Sequence, residues 1–123
     1  MTRRDERGMT DSVQWAILTP LLLFTVLGII QAGLWLHGRT IASSAAIAGA
    51  EEAAVLGATD SAAVAMAERL ADGGGLADVT VSVERSTERV RIVVSGQMPT
   101  FVDLGQTRVS EQATRPVERV TRP

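Results

Sequence analysis

The sequence predicts an α+β protein: a single N-terminal transmembrane helix continuing into an Ala-rich stalk helix, a short second helix, then a β-hairpin with room for a third strand. Three observations carry this. An apolar run without Asp, Glu, Lys or Arg covers residues 12–38, 13 Ala fall within the 33 residues 39–71, and Val, Ile and polar residues alternate around positions 79–94. The chain of 123 residues is then organised as a cytoplasmic basic leader (1–12), the transmembrane helix (13–36), extracytoplasmic Ala-rich helices (37–72) and a hairpin domain with its tail (73–123).

The apolar segment is long enough to cross a bilayer. At 1.5 Å per residue, its 24 residues reach about 36 Å, against a hydrocarbon core of about 30 Å. Thirteen of them are Leu, Ile, Val or Phe, together contributing on the order of −6 kcal/mol to insertion, which outweighs Gln14, Gln31, Pro20 and two Thr. Apolar residues occupy every face, unlike the one-sided stripe of a helix lying on a soluble core. The run also exceeds the roughly 7–15 apolar residues of a cleaved signal peptide, although Ala42, Ser44 and Ala46 resemble a cleavage site. Trp15 and Trp35 stand about 30 Å apart along the axis, one for each interface, with His37 and Arg39 as further anchors at the outer boundary. Arg3, Arg4 and Arg7 precede the helix and only Arg39 follows closely, so the expected topology is single-pass in the plasma membrane with a cytoplasmic N-terminus. Pro20 removes a backbone donor inside the span and is the expected kink. Gly28 and Ala32 form a small-residue pair, and Gln31 beside them is a candidate for helix–helix hydrogen bonding.

Beyond the membrane, Ile41, Ala45, Ala48, Glu52, Val55, Thr59, Ala62, Met66 and Leu70 recur at steps of three or four, the expected inward stripe. Gly57, Thr59, Asp60 and Ser61 supply stop and start signals, so the long helix should break there and restart near Ser61. Gly73, Gly74 and Gly75 end the helical half and read as a hinge; without a following Lys and Ser or Thr they are no phosphate loop. Val79, Val81 and Val83, then Val90, Ile92 and Val94, flank Arg85, Ser86, Thr87 and Glu88 as a hairpin. Residues 107–113 alternate less regularly and form the candidate third strand, closed by Arg115 and Pro116. Residues 97–105 read as a loop whose Phe101 covers the sheet. With Phe101 the sole aromatic after residue 38, the core is thin, and partners are expected to complete the fold.

Composition argues against catalysis. The chain has no Cys, no Lys and one His, and its 12 Arg against 14 acidic residues leave a net charge of −2. Thiolate metal sites and Cys nucleophiles are excluded, and a nucleic-acid partner is not expected. His37 has no neighbouring acid or second His, Glu51 and Glu52 point about 100° apart on a helix, and Ser43, Ser44 and Ser61 lack a GxSxG context. No catalytic, cofactor-binding or metal-binding residue is expected, and no small-molecule substrate.

Arg7 and Gly8, then Val13, Gln14, Trp15 and Ala16, then Pro20 ahead of Leu21, Leu22 and Leu23, and finally the Ala-rich stretch 42–54, stand in an order that resembles TadE-like proteins. That family's pattern is RG, a short spacer, VEFAL, then a Pro and a Leu-rich run. The resemblance covers the N-terminal half. It implies a membrane-anchored, noncatalytic minor pilin or pseudopilin of the Tad (Flp, type IVc) pilus system, with the lipid bilayer, other pilins or pilus-assembly membrane proteins, and prepilin peptidase as partners. It further implies a peptidase cut between Gly8 and Met9. Gln14 stands where the family has Glu, and six residues after Gly8 instead of five. The alternative is a single-pass envelope scaffold or interaction protein unrelated to pili, using the exposed edge of the hairpin.

Overall fold

The computed structural model describes residues 3–55, 58–99 and 108–118. Helix α1 (Arg3–Ala54) and helix α2 (Asp60–Gly73) precede strands β1 (Ala77–Arg85), β2 (Arg89–Gln97) and β3 (Arg108–Pro116). The strands form one antiparallel sheet in the order β1-β2-β3. The architecture is therefore α+β, with a long apolar N-terminal helix, a short second helix and a three-stranded sheet. The chain divides into two units, Met1–Gly33 and Leu34–Pro123. The first is helical throughout its described residues and is taken up below; the second contains the sheet. The side chains of Arg3, Arg4 and Arg7, the stop signal at Gly57, Phe101 with its expected place over the sheet, and Thr107 lie outside the described residues.

In the second unit the helices bury almost nothing larger than a methyl group. From α1 the inward residues are Gly38, Ala42, Ala45, Ala46, Gly49, Ala50, Ala53 and Ala54; from α2 they are Ala63, Ala67 and Ala71. This corrects the stripe expected from spacing: of its nine members only Ala45 is buried, while Val55, Thr59, Ala62 and Leu70 are exposed. The spacing pattern weighted bulk, whereas close approach selects the smallest side chains. A Cβ on Gly49 would stand 3.2 Å from the Ala67 Cβ, 3.3 Å from the Ile92 Cγ2 and 3.4 Å from the Ala63 carbonyl oxygen. Helices that come this near leave no room for Leu or Met between them.

The sheet supplies the bulk that the helices lack. Val90, Ile92 and Val94 alternate along β2 and are its largest fully buried side chains, with Val109 and Ala113 beside them on β3. Val81 faces Val94 and Val83 faces Ile92 across the β1–β2 ladder, as the hairpin reading expects. The turn is closed by Ser86, whose amide donates to the Arg89 carbonyl at 2.8 Å and whose hydroxyl accepts from the Arg89 amide at 3.1 Å. A bulge interrupts the ladder between Ala77 and Thr80, where Asp78 takes φ 50°, a conformation Asp tolerates better than most residues.

Local signals fix the helix ends. Thr59 caps α2, its hydroxyl accepting from the Ala62 amide at 3.2 Å. Thr59→Ala is expected to cost about 1 kcal/mol, read as a lower denaturation midpoint with unchanged slope. At the other end Gly75 adopts φ 101°, its amide donates to the Asp72 carbonyl, and the Leu76 amide donates to Ala71 with both side chains buried. That hydrogen-bond pair is a Schellman cap. The glycine triplet is thus a tied-down helix terminus where a hinge was expected, because the left-handed residue closes the last orphan carbonyls.

β3 confirms the third strand and carries it further than expected, through Arg115 to Pro116, which pairs with Arg89. Proline is tolerated there because it ends an edge strand. β2 likewise reaches Gln97, two residues short of Pro99.

Candidate functional site

Two features concentrate the unusual chemistry: an apolar helix without a core to cover it, and a charged frame that binds the sheet edge to α1. In the first unit, Val13, Trp15, Ile17, Leu18, Leu21, Leu22, Leu23, Phe24, Val26, Leu27, Ile29 and Ile30 are all exposed, Phe24 to 72% and Trp15 to 63%. An apolar surface that continuous and encircling exceeds the patches a soluble monomer ordinarily exposes. By length and composition α1 is apolar enough to cross a membrane, and none of that apolar window is buried. Its polar groups are handled in a way that suits lipid. The Thr25 hydroxyl donates to the Leu21 carbonyl at 2.8 Å, so it presents no orphan donor. Pro20 lies within the unbroken helix, where its missing N–H leaves the Ala16 carbonyl without that intrahelical bond.

The other positions singled out from sequence fall along the same helix. Gly8, Met9 and Gln14 are exposed, and a Cβ on Gly8 would meet nothing within 4 Å. Gly28 is equally open, Ala32 is exposed and Gln31 is half-buried. These residues lie along one element and do not converge on a pocket.

From Leu34 onward α1 belongs to the second unit, where Trp35 and Arg39 meet specific partners. Leu34 and Trp35 are half-buried against the core. The Arg39 guanidinium stands 5.0 Å from the centroid of the Trp35 ring, and its Nε donates to Glu111 Oε1 at 2.8 Å. His37 is exposed on the neighbouring face, and Gly38 is buried under Met98. Farther along, Glu51 and Arg115 approach to 3.7 Å. Glu111 and Arg115 share the helix-facing side of β3 with Val109 and Ala113, so two ion pairs flank the apolar contact. This explains the weak alternation of that strand: its inward positions include charges whose partners lie on α1, distant in sequence.

A further link escaped sequence reasoning. Arg85, at the end of β1, donates to Asp60 Oδ1 at 2.6 Å and to the Ala53 carbonyl at 3.1 Å, joining the last turn of α1 to the first residue of α2. An Arg directly before a hairpin turn was its only signal. Arg85→Met is expected to lower stability by about 1 kcal/mol, since the pair is largely solvated while the helix-end carbonyl loses its donor. Denaturant midpoints of the two proteins would measure it. Among the described residues, no group of three or more His, Asp or Glu is placed to hold a metal ion.

Comparison with known proteins finds one family. Residues 11–51 match the model of TadE-like protein. That segment covers the apolar helix and the first Ala-rich turns that pack on the sheet. No curated protein and no solved structure matches the chain.

Proposed function

With a TadE-like segment at residues 11–51 as premise, we propose that this chain is a membrane-anchored, noncatalytic minor pilin or pseudopilin, or an assembly component, of a Tad (Flp, type IVc) pilus or related secretion system. The observation that carries the reading is the two-part character of α1. Its first part exposes Leu, Ile, Val and Phe on all sides, and its second part buries one face of Ala and Gly against a small sheet. One helix thus serves as anchor and as the spine of a folded domain.

In this reading residues 13–36 form the span, the N-terminus is cytoplasmic and the domain is extracytoplasmic, the orientation that the Arg distribution favours. The chain acts by assembly: other pilins or pilus-assembly membrane proteins pack against it and supplement its thin Ala-rich core. Gly28, Gln31 and Ala32 are the helix–helix contact, and Trp15, Trp35, His37 and Arg39 set its depth. A prepilin peptidase cutting after Gly8 would remove the Arg-rich leader and free the helix for a filament; the uncut chain stays as a resident assembly factor.

Mass spectrometry of the protein isolated from its native membrane separates these roles. A chain starting at Met9 identifies a processed pseudopilin, and an intact N-terminus identifies the assembly factor. Deleting the gene is expected to abolish surface pili, with restoration by the wild-type copy. Normal piliation in the deletion strain, with no pilin co-purifying, would replace the pilus reading by the envelope scaffold.

A further inference from the structure

The hairpin end of the sheet carries a hollow that the assembly role does not use. It measures about 350 Å³ and is lined by Glu84, Arg85, Ser86, Arg89, Arg91 and Thr114. Glu84, Arg91 and Thr114 form one row across the three strands, because Glu84 pairs with Arg91 and Arg91 with Thr114. Arg89 lies two residues before Arg91 on β2, on the same side of the sheet, opposite the face that buries Val90 and Ile92. The hollow therefore opens on the face turned away from the helices. It sits at the Arg85–Ala53 end of the unit, remote from the end where Met98 covers Gly38.

Its charges are unevenly spent. Arg85 is committed to Asp60 and the Ala53 carbonyl. Arg91 meets Glu84 at 3.3 Å, a longer contact than the 2.6 Å of the Arg85 pair. Among the described residues no side chain pairs with the Arg89 guanidinium. After these pairings the lining retains one positive charge, on Arg89, whose Cα stands about 7 Å from that of Arg91, as for alternate residues of a strand. Two Arg forks beside hydroxyls suit a single carboxylate. Thr114 is exposed, and the adjoining row holds exposed Ser82 and Gln112 on either side of half-buried Val93. All six lining residues are exposed, so the hollow is an open depression with room for one small ring.

We propose that this hollow binds a carboxylate-bearing, hydroxylated ring, the chemistry of a single uronic acid residue, with Arg89 and Arg91 holding the carboxylate and Thr114 meeting a ring hydroxyl. Glu84 competes for Arg91 and moderates the affinity.

The test is titration calorimetry of the full chain in detergent micelles with glucuronate, glucose and inorganic phosphate. Glucuronate is expected to bind, glucose at least about tenfold more weakly because it lacks the charge-assisted contact, and inorganic phosphate more weakly because it lacks the ring hydroxyl that meets Thr114. Arg89→Gln should weaken glucuronate binding by about tenfold or more, and Glu84→Gln should strengthen it by releasing Arg91. Arg69→Gln, which removes an exposed charge on α2, should leave it unchanged. Absence of glucuronate binding overturns the proposal. So does equal binding of phosphate, equal loss in Arg69→Gln, or an unimproved Glu84→Gln. Unchanged far-UV circular dichroism confirms that each variant is folded before titration.

Discussion

Replacing Leu22 and Leu23 together by Arg is expected to drive the protein out of the membrane fraction. Both side chains are fully available to lipid, 55% and 60% exposed, and both lie near the middle of the span. Each Leu contributes about −0.3 to −0.6 kcal/mol to insertion at the helix centre, and each Arg costs about 2.5 to 3.5 kcal/mol. The double change is therefore worth about 7 kcal/mol, as large as the whole favourable sum of the thirteen aliphatic and Phe residues. Insertion loses its driving force, since snorkelling from the bilayer midplane recovers only part of that cost. Carbonate extraction of membranes reads the outcome: wild type stays in the pellet, and the double variant appears in the supernatant or in aggregates. A double variant that remains in the pellet would show that the apolar helix is not the anchor. Ser44→Arg in the second unit, on an exposed position of α1, is the control and should not change the partition.

The second large effect is expected at Ile92. Its side chain is completely buried at the centre of β2 and reaches toward Gly49 of α1. Cutting it to Ala removes three carbons at a point where the facing helices offer only Gly49, Ala63 and Ala67. Ile92→Ala should cost about 2–5 kcal/mol, most of the stability of a domain this small. Gly49→Val should cost about 1–3 kcal/mol for the opposite reason: its Cβ alone would press on Ala67, Ile92 and the Ala63 carbonyl. Because the two sites touch, their effects are not additive. The double variant places the Val methyl groups where the Ile92 side chain was, and is expected to be more stable than the sum of the singles by about 0.5–3 kcal/mol. Hydrogen exchange of the β2 amides in detergent measures all three. Strict additivity would mean that α1 and β2 do not share this contact.

Much of the architecture is written locally. A run of 24 uncharged residues predicts its helix from transfer energies that do not depend on tertiary neighbours. The cap at Thr59, the close of α2 at the glycine triplet and the valine alternation on either side of Ser86 are equally local, each decided by a few consecutive residues. The resemblance of residues 7–23 to a TadE-like pattern was visible in the same way, and the family match over residues 11–51 agrees with it.

Other features depend on where elements meet. The direction in which the Ala-rich helix faces the sheet could not be read from bulk, since Ala occupies nearly every side and the inward face is selected by how closely two backbones approach at Gly49. The strand that ends at Pro116 looked irregular because Glu111 and Arg115 point inward, and their partners Arg39 and Glu51 are distant in sequence. The sequence by itself determined the elements, their order and the lipid-facing helix, because hydrophobic transfer and capping act over one or two turns. Tertiary structure alone decided which small residues are buried, which charges pair across α1 and β3, and where the arginines of the hairpin gather, because those depend on distances between segments that the chain brings together only on folding.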